Sequence, residues 1–289
     1  NQIILLILKM NSMKKLRRCK CTRMKSENIL ILDPPKVSKI LLIDGEQHPD
    51  VILQKRLKLS EKLKNSLKMS YYEKLKEIKN FGSVDFMRIK YQGKNVILRL
   101  VDESDETVIL LTKWREMYRN NFGTDFSISE QKTREWLRKG VLENPDKIVF
   151  VIYVENRKIG IISTAEYDEK TNSAILDTMM KDPTYKLPGL MTTIEKVYLK
   201  WMFDELNLSK ITGFLFSDNK KMMNIHQKCG WAIIEIVPIQ KISTDEGTKW
   251  EKISSKLDNM KAERYFNLIE LTKENLMKHF DNIEYQILV

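Results

Sequence analysis

The order of strand-like and helix-like runs between residues 91 and 253 constrains the fold of this chain more than any other feature. Short runs of β-branched and aromatic residues predict strands, whereas apolar residues spaced three or four apart predict helices. Strands are predicted over residues 96–101, 147–154, 159–168, 174–181, 211–216, 232–239 and 249–253. Helices are predicted after the acidic stretch 104–106, over 130–139 and over 190–206. This order predicts an α/β protein with a mixed sheet rather than a helical bundle or a β-sandwich.

The composition supports a folded protein with a modest basic surplus. The 289 residues are 42% hydrophobic, which excludes a disordered chain. Fifty Lys and Arg residues against thirty-nine Asp and Glu residues give a net charge of +11, and residues 1–25 contain no acidic residue. A basic surplus attracts polyanions, but one gathered at the start of a Lys-rich chain is more typical of a solvated surface. Nucleic-acid binding is therefore kept only as an alternative interpretation.

The chain carries no clear targeting or metal-binding signal. Its first apolar run, residues 3–8, is far shorter than the ~20 residues that span a bilayer, and its basic residues follow the run rather than precede it. The three cysteines, Cys19, Cys21 and Cys229, form no disulfide framework, so a reducing cytoplasmic location is expected. Neither the Cys19–Cys21 pair nor the acidic turn at residues 44–50 supplies a convincing ligand set, so no metal is expected.

A loop with the sequence KLPGLM, residues 186–191, precedes the longest predicted helix. The unpaired N–H groups at a helix N-terminus and the positive end of the helix dipole bind phosphate, and a glycine lets the backbone approach closely. The loop departs from an ideal phosphate site at two positions. Pro188 removes one N–H donor, and the Met191 side chain is expected to intrude near the phosphates.

A second motif, SDNKKMMNIHQKCGW at residues 217–231, follows the next predicted strand. It places Asn219 at the strand end, a short helix over residues 222–228, and Gly230 with Trp231 where that helix stops. The two motifs together resemble the GNAT superfamily of N-acyltransferases, and the resemblance covers residues 95–253. Within the superfamily it is nearest to enzymes that acylate amino sugars on nucleotides or the N-termini of ribosomal proteins. It implies a mixed sheet with two splayed parallel strands, flanked by helices.

The resemblance also implies acetyl-CoA as co-substrate. In the family the pantetheine arm lies between the splayed strands, here residues 174–181 and 211–217, and N–H groups over residues 179–181 polarise the thioester carbonyl as an oxyanion hole does. The residues that it assigns to coenzyme A are Met179, Met180, Lys181, Lys186, Leu187, Gly189, Leu190, Met191, Thr192, Asn219 and Met223.

The resemblance suggests candidates for proton transfer. His226 stands four residues before Gly230, where many relatives have a tyrosine that protonates the departing thiolate, and a histidine can donate there as well. The alternative is that His226 only packs at the end of its helix. Glu166 or Asp177 could remove the proton from the amine, although both could equally be surface carboxylates. Cys229 has no partnering base and is expected to pack rather than react.

The acceptor is expected to contact the first helix of the resembling region. Trp114, Arg115 and Tyr118 could line its site, with core packing as the alternative for these side chains. The expected function is transfer of acetyl from acetyl-CoA to a primary amine, on an amino sugar, a nucleotide-linked amino sugar or a protein N-terminus. A GNAT-fold binding module that has lost catalysis is the alternative from another class.

The sequence divides into three expected regions. Residues 1–90 are expected to form a basic extension that could include a small domain, and residues 91–254 the acyltransferase domain. Residues 255–289 are expected to form a helix followed by a terminal strand, which could dock on the sheet or on a second subunit of a homodimer.

Overall fold

A computed structural model describes residues 29–30, 41–42, 69–245, 247–253 and 262–289 of the chain. The chain divides into two compact units, residues 1–68 and residues 69–289. In the first unit the described residues are two short antiparallel strands, β1 (Ile29–Leu30) and β2 (Leu41–Leu42). The basic residues 1–25, both N-terminal cysteines and the acidic turn at residues 44–50 lie outside the described residues.

The second unit is built on one mixed sheet. Its helices and strands, in chain order, are α1 (Tyr71–Asn80), β3 (Asp85–Tyr91), β4 (Lys94–Leu100), α2 (Asp105–Met117), β5 (Thr124–Phe126), α3 (Glu130–Glu135), β6 (Ile148–Val154), β7 (Arg157–Asp168), β8 (Ser173–Lys181), α4 (Leu190–Glu205), β9 (Lys210–Phe216), α5 (Lys220–Gln227), β10 (Ala232–Thr244), β11 (Gly247–Lys252), β12 (Arg264–Thr272), α6 (Lys273–His279) and β13 (Tyr285–Ile287). The described strands are ordered β13-β3-β4-β6-β7-β8-β9-β12-β10-β11-β5. Of the strand pairs among them, only β8–β9 is parallel.

Local signals explain most of these elements. β6 is buried along its whole length, as expected of a central strand whose two faces are both covered. β6 and β7 are joined at Glu155 and Asn156, both with positive φ, as a two-residue hairpin turn requires. Ser104 and Ser129 accept hydrogen bonds from the backbone of the first turns of α2 and α3. The predicted mixed α/β fold is therefore confirmed.

Helices cover both faces of the sheet. On one face α4 is buried along most of its length, and Tyr198 and Trp201 meet Phe86 and Phe150 of the sheet edge-on or tilted. On the other face α2 packs with a π-helical turn, Trp136–Leu142, that continues directly from α3. The two faces thus have separate apolar clusters, and the β8–β9 pair lies between them.

The C-terminal region differs from the expectation. Its first element is a strand, β12, followed by α6 and β13, rather than a helix followed by a strand. β12 lies between β9 and β10 and is antiparallel to both. Its burial alternates along the strand, a period of two that identifies a strand with one covered face. β12 therefore belongs to the sheet itself.

The start of the sheet also differs from the expected boundary at residue 91. β3 forms a hairpin with β4, and α1 contributes Tyr71, Leu75 and Ile78 to the same apolar cluster as α4. The compact unit begins at Met69 for this reason.

Candidate active site

The parallel strands β8 and β9 separate after a short paired segment. Ser173 to Ile175 pair with Lys210 to Thr212, whereas β8 continues to Lys181 and β9 to Phe216 without further pairing between the two. The unpaired segments leave a cleft that widens toward the C-terminal ends of both strands. Free backbone N–H and C=O groups on such edges can hydrogen-bond an extended ligand, as strand addition does elsewhere.

The β8 edge of this cleft presents alternate backbone groups. The Asp182 N–H donates to the Ile159 carbonyl oxygen at 2.7 Å, which places it on the β7 side. Because backbone groups alternate along a strand, the N–H groups of Lys181 and Met179 lie on the cleft side and that of Met180 on the β7 side. The Lys181 carbonyl oxygen accepts a hydrogen bond from the Tyr118 hydroxyl at 2.7 Å, so α2 ends beside the cleft.

The N-terminus of α4 is open. Its N-cap, Gly189, has φ of 78° and no side-chain hydrogen bond caps the helix, whose first turn contains no acidic residue. A Cβ on Gly189 would lie 2.4 Å from the Tyr91 hydroxyl oxygen, and that hydroxyl donates to the Pro188 carbonyl oxygen at 2.6 Å. The glycine is needed both for the backbone conformation and for this contact. The uncapped N–H groups, including that of Thr192, are free to bind an anion.

The Met191 side chain does not lie at the phosphate position. It is 7% exposed and packs in the core with Leu190, because these two positions face the sheet once the helix has started at the glycine. The expected intrusion of Met191 is therefore wrong. Leu187 is partly buried against the same core, so its backbone rather than its side chain is available to a ligand.

Three lysines gather at this loop. Burial lowers the pKa of Lys181, and the positive charges of Lys221 and Lys186 lower the same pKa further. Lys221 lies in the first turn of α5 and was not among the predicted residues, although it follows the predicted Asn219 by two positions. These positive charges repel one another beside an open helix N-terminus. A bound polyphosphate would relieve that repulsion and stabilise the arrangement.

Two residues assigned to coenzyme A have structural roles. The Asn219 side chain accepts a hydrogen bond from the Met222 N–H at 3.2 Å and caps α5. Met223 is buried in the core. Of the Asn219 amide only the NH₂ group is left for a ligand.

His226 lies on the buried side of α5 and contacts a residue that the sequence analysis missed. Its Nδ1 is 2.7 Å from Oε1 of Glu195 in α4, and Nε1 of Trp231 donates to the same oxygen at 2.8 Å. Glu195 is 0% exposed. A glutamate within the apolar face of a helix is rare, and that is the signal by which the sequence could have revealed it.

The other ring nitrogen of His226, Nε2, has no hydrogen-bond partner among the described residues. Oε2 of Glu195 also lacks a partner there and is fully buried, whereas Nε2 is not fully buried. Cys229 is fully buried beside this pair. Burial and the negative charge of Glu195 raise the pKa of the Cys229 thiol. The thiol therefore stays protonated, as the packing interpretation of Cys229 expects.

The two candidate bases lie in different surroundings. Glu166 is exposed at an irregularity of β7, with φ of 53°, and lines an open pocket of about 600 Å³ together with Asp146 and Asp168. Asp177 accepts hydrogen bonds from the Ser163 and Thr178 hydroxyls and forms an ion pair with Lys147 at 2.7 Å. The charge of Asp177 is thus already balanced, whereas no described residue forms a hydrogen bond or ion pair with the Glu166 carboxylate.

The position of the pocket relative to the cleft is defined by two residues. Ile175 and Thr212 form the last paired position of β8 and β9, and both also line the pocket. The pocket therefore begins where the cleft closes.

The α2 residues expected to line the acceptor site divide into two groups. Trp114 is 2% exposed and belongs to the apolar cluster beneath α2. The Arg115 guanidinium lies 4.8 Å from the centre of the Trp136 ring and donates to Thr133 at 3.3 Å, and burial lowers its pKa. Both follow the core alternative, and only Tyr118 reaches the cleft.

Within the described ranges no group of three or more His, Cys, Asp or Glu side chains is arranged to hold a metal ion. A search of the same residues finds no helix long and apolar enough to cross a membrane.

Comparison with known proteins shows what this part of the chain is similar to. Residues 95–232 match the family model described as the acetyltransferase (GNAT) domain. An uncharacterized, SPbeta prophage-derived N-acetyltransferase of Bacillus subtilis (strain 168) is 26% identical over 141 residues, which are 49% of this chain and 78% of that protein. The crystal structure of spermidine N-acetyltransferase from Vibrio cholerae in complex with CoA and spermine aligns with a TM-score of 0.50 and 16% identity, over 63% of this chain and 98% of that one. At that identity the structural likeness concerns the fold.

Proposed function

Because residues 95–232 match the GNAT acetyltransferase family model, we propose that the chain transfers an acetyl group from acetyl-CoA directly to a primary amine. The observation that carries this proposal is the cleft between β8 and β9, which opens toward the uncapped N-terminus of α4. A pantetheine arm and a pyrophosphate need these two features side by side, one to bind an extended chain and one to bind its phosphates.

The residues around the cleft define where each part of acetyl-CoA would lie. The phosphates would bind the N–H groups that follow Gly189, with Lys186 and Lys221 nearby. The pantetheine arm would pair with the free edge of β8. The N–H groups of Met179 and Lys181 on that edge would stabilise the oxyanion that forms when the amine attacks the thioester carbonyl. No covalent enzyme intermediate is needed, because both substrates can be bound together.

The amine would approach from the pocket that begins where the cleft closes. The carboxylates of Asp146, Glu166 and Asp168 outnumber the Lys210 cation in its lining, and Glu166 is placed to accept a proton from the amine directly or through water. Such a lining favours an acceptor with more than one positive charge, such as a polyamine or an amino sugar, over a neutral peptide. The Vibrio cholerae fold relative is described as acting on spermidine, which is an amine of this kind. Nucleotide-linked amino sugars and protein N-termini remain within the proposed acceptor class.

The proposal is tested in two steps. Acetyl-CoA binding is measured by calorimetry and thermal shift on the full chain, where a binding site for the folded state raises the melting temperature. Release of the free CoA thiol is then followed with polyamines, amino sugars, nucleotide-linked amino sugars and peptides. No stabilisation at millimolar acetyl-CoA contradicts the proposal. Binding without turnover of any amine would identify the chain as a binding module instead.

A further inference from the structure

The buried contact between α4 and α5 has the form of a carboxylate that orients an imidazole. Oε1 of Glu195 lies 2.7 Å from Nδ1 of His226, and Nε2 faces away from this contact. The Trp231 indole N–H, 2.8 Å from the same oxygen, fixes the carboxylate from a second direction. A ring held in this way has its proton on Nδ1 when neutral, and Nε2 is then a hydrogen-bond acceptor.

Few other groups surround the pair. Glu195 is 0% exposed, and its Oε2 has no hydrogen-bond partner among the described residues, so the carboxylate is held through Oε1. The neighbouring Lys196 is engaged by Asp281 at 2.6 Å. The other titratable groups at this contact are the protonated Cys229 thiol and His279 of α6, whose ring lies against Gly230. Among these groups, the Glu195 carboxylate is the one that contacts Nδ1 of His226 and can hold the ring in place.

We propose that Glu195 is a positioning residue which holds His226 with Nε2 free, so that His226 moves a single proton from the attacking amine to the departing sulfur. This inference rests on the proposed acetyl transfer. It assigns to a glutamate–histidine pair the task for which many relatives use a tyrosine, and it adds a step that a tyrosine in its neutral form does not perform, namely acceptance of the proton from nitrogen.

The step balances without another reactant. The amine reaches the thioester in its neutral form, after its ammonium proton has passed to Glu166 or to water. Its lone pair then forms the C–N bond with the thioester carbon, and Nε2 of His226 accepts the second proton that the nitrogen must lose. As the C–S bond breaks, the bonding electrons go to sulfur, and the imidazolium returns the proton to it. The products are the amide and the CoA thiol, and His226 is again neutral. Glu195 takes no part in the transfer itself and holds the ring through Nδ1, as the carboxylate of a catalytic triad does.

The kinetic test uses Glu195→Gln, which keeps the shape and the acceptor for Trp231 but removes the charge. We expect kcat to fall about a hundredfold, as for loss of a general acid–base function, while KM for acetyl-CoA stays within about twofold. The pH dependence of kcat should lose the limb that reports His226. In a His226→Gln background the same substitution should cause no further loss of kcat, because the two residues act as one unit. Glu205→Gln, which removes a carboxylate charge at the opposite end of α4, is the matched control and should keep the wild-type kcat.

A spectroscopic test on the unmodified chain covers the case in which Glu195→Gln fails to fold. The chain has only three histidines, so ¹⁵N-histidine spectra are simple, and His226→Gln assigns the relevant signal. We expect neutral His226 to carry its proton on Nδ1, and the Nε2–H tautomer would overturn the proposal. An unchanged kcat and pH profile in Glu195→Gln would overturn it as well. If the wild-type chain binds no acetyl-CoA, the proposed function itself fails. The tautomer measurement does not depend on acetyl-CoA, so the two failures can be distinguished.

Discussion

The two sides of the sheet differ in how they build the site. On the α4–α5 side the groups proposed to face the ligand are mainly backbone N–H groups, placed by Gly189 at the start of one helix and by Asn219 at the start of the next. On the α2 side the acceptor would be read by side chains, and two of those expected there, Trp114 and Arg115, are packed inside the protein. A site made of backbone groups needs glycine and cap residues at fixed positions, and these can be recognised in the sequence. A site made of side chains has no such fixed spacing.

The largest expected effect concerns Gly189. Gly189→Ala places a Cβ against the Tyr91 hydroxyl in a backbone conformation that disfavours alanine, so the loop should rearrange and the dissociation constant of acetyl-CoA rise on the order of a hundredfold. Gly93→Ala is the matched control, since Gly93 has nearly the same φ, 76°, with no atom within 4 Å of the new Cβ. Calorimetry compares the two variants. Equal acetyl-CoA affinities in the two variants would show that the backbone conformation at Gly189 does not determine acetyl-CoA binding on the α4–α5 side.

Substitutions of Arg115 and Tyr118 test the α2 side of the comparison. Arg115→Ala should lower the free energy of unfolding by about 2 kcal/mol, because it removes the stacking on Trp136 and the bond to Thr133. KM for the amine should not change. Tyr118→Phe should do the opposite, with little effect on stability and a reduced kcat/KM, since its hydroxyl bonds the cleft edge at Lys181. Denaturant unfolding measures the stability of both variants, and steady-state kinetics measures their activity. A raised KM for the amine in Arg115→Ala would show that Arg115 contributes to the acceptor site after all.

The lysine cluster should give a smaller and salt-dependent effect. Lys186→Ala and Lys221→Ala should each weaken acetyl-CoA binding roughly tenfold at low salt, by loss of a charge-assisted phosphate contact. Lys76→Ala, at an exposed position on α1, is the control and should leave binding unchanged. Calorimetry at two salt concentrations makes the measurement. A loss that is the same at high salt would argue against a phosphate contact.

The smallest effect is a pH dependence of binding. The pKa of Lys181 lies below its ordinary value through burial and the charges of Lys221 and Lys186, and a bound polyphosphate should raise it again. Binding therefore takes up protons as the pH rises toward that pKa, and affinity should fall by about threefold at most between pH 7 and 9. Calorimetry in buffers of different ionisation enthalpy counts the protons. Proton release on binding would show that the sign is wrong.

Sequence patterns predicted the strands and helices whose signals are local. The hairpin at Glu155, the caps at Ser104 and Ser129, and the glycine-started α4 are all set by neighbouring residues. The patterns did not predict the place of β12 in the sheet, which depends on partners some fifty residues away in β9.

The Glu195–His226 contact was also missed, because it joins two helices and neither residue indicates the other in the sequence. The burial of Met191 was missed for a related reason, and the burial of Trp114 and Arg115 was predicted only as the alternative. The face that a helix buries depends on the elements against which it packs.

The place of β12 has a practical consequence for anyone who expresses part of this chain. The family match ends at residue 232, yet the strand that bonds both β9 and β10 is residues 264–272. A fragment cut after β11 would expose two long unpaired strand edges in the middle of the sheet, and such edges recruit other chains. It should therefore precipitate or form domain-swapped oligomers, and adding residues 262–289 back as a separate peptide should restore the solution behaviour of the full chain.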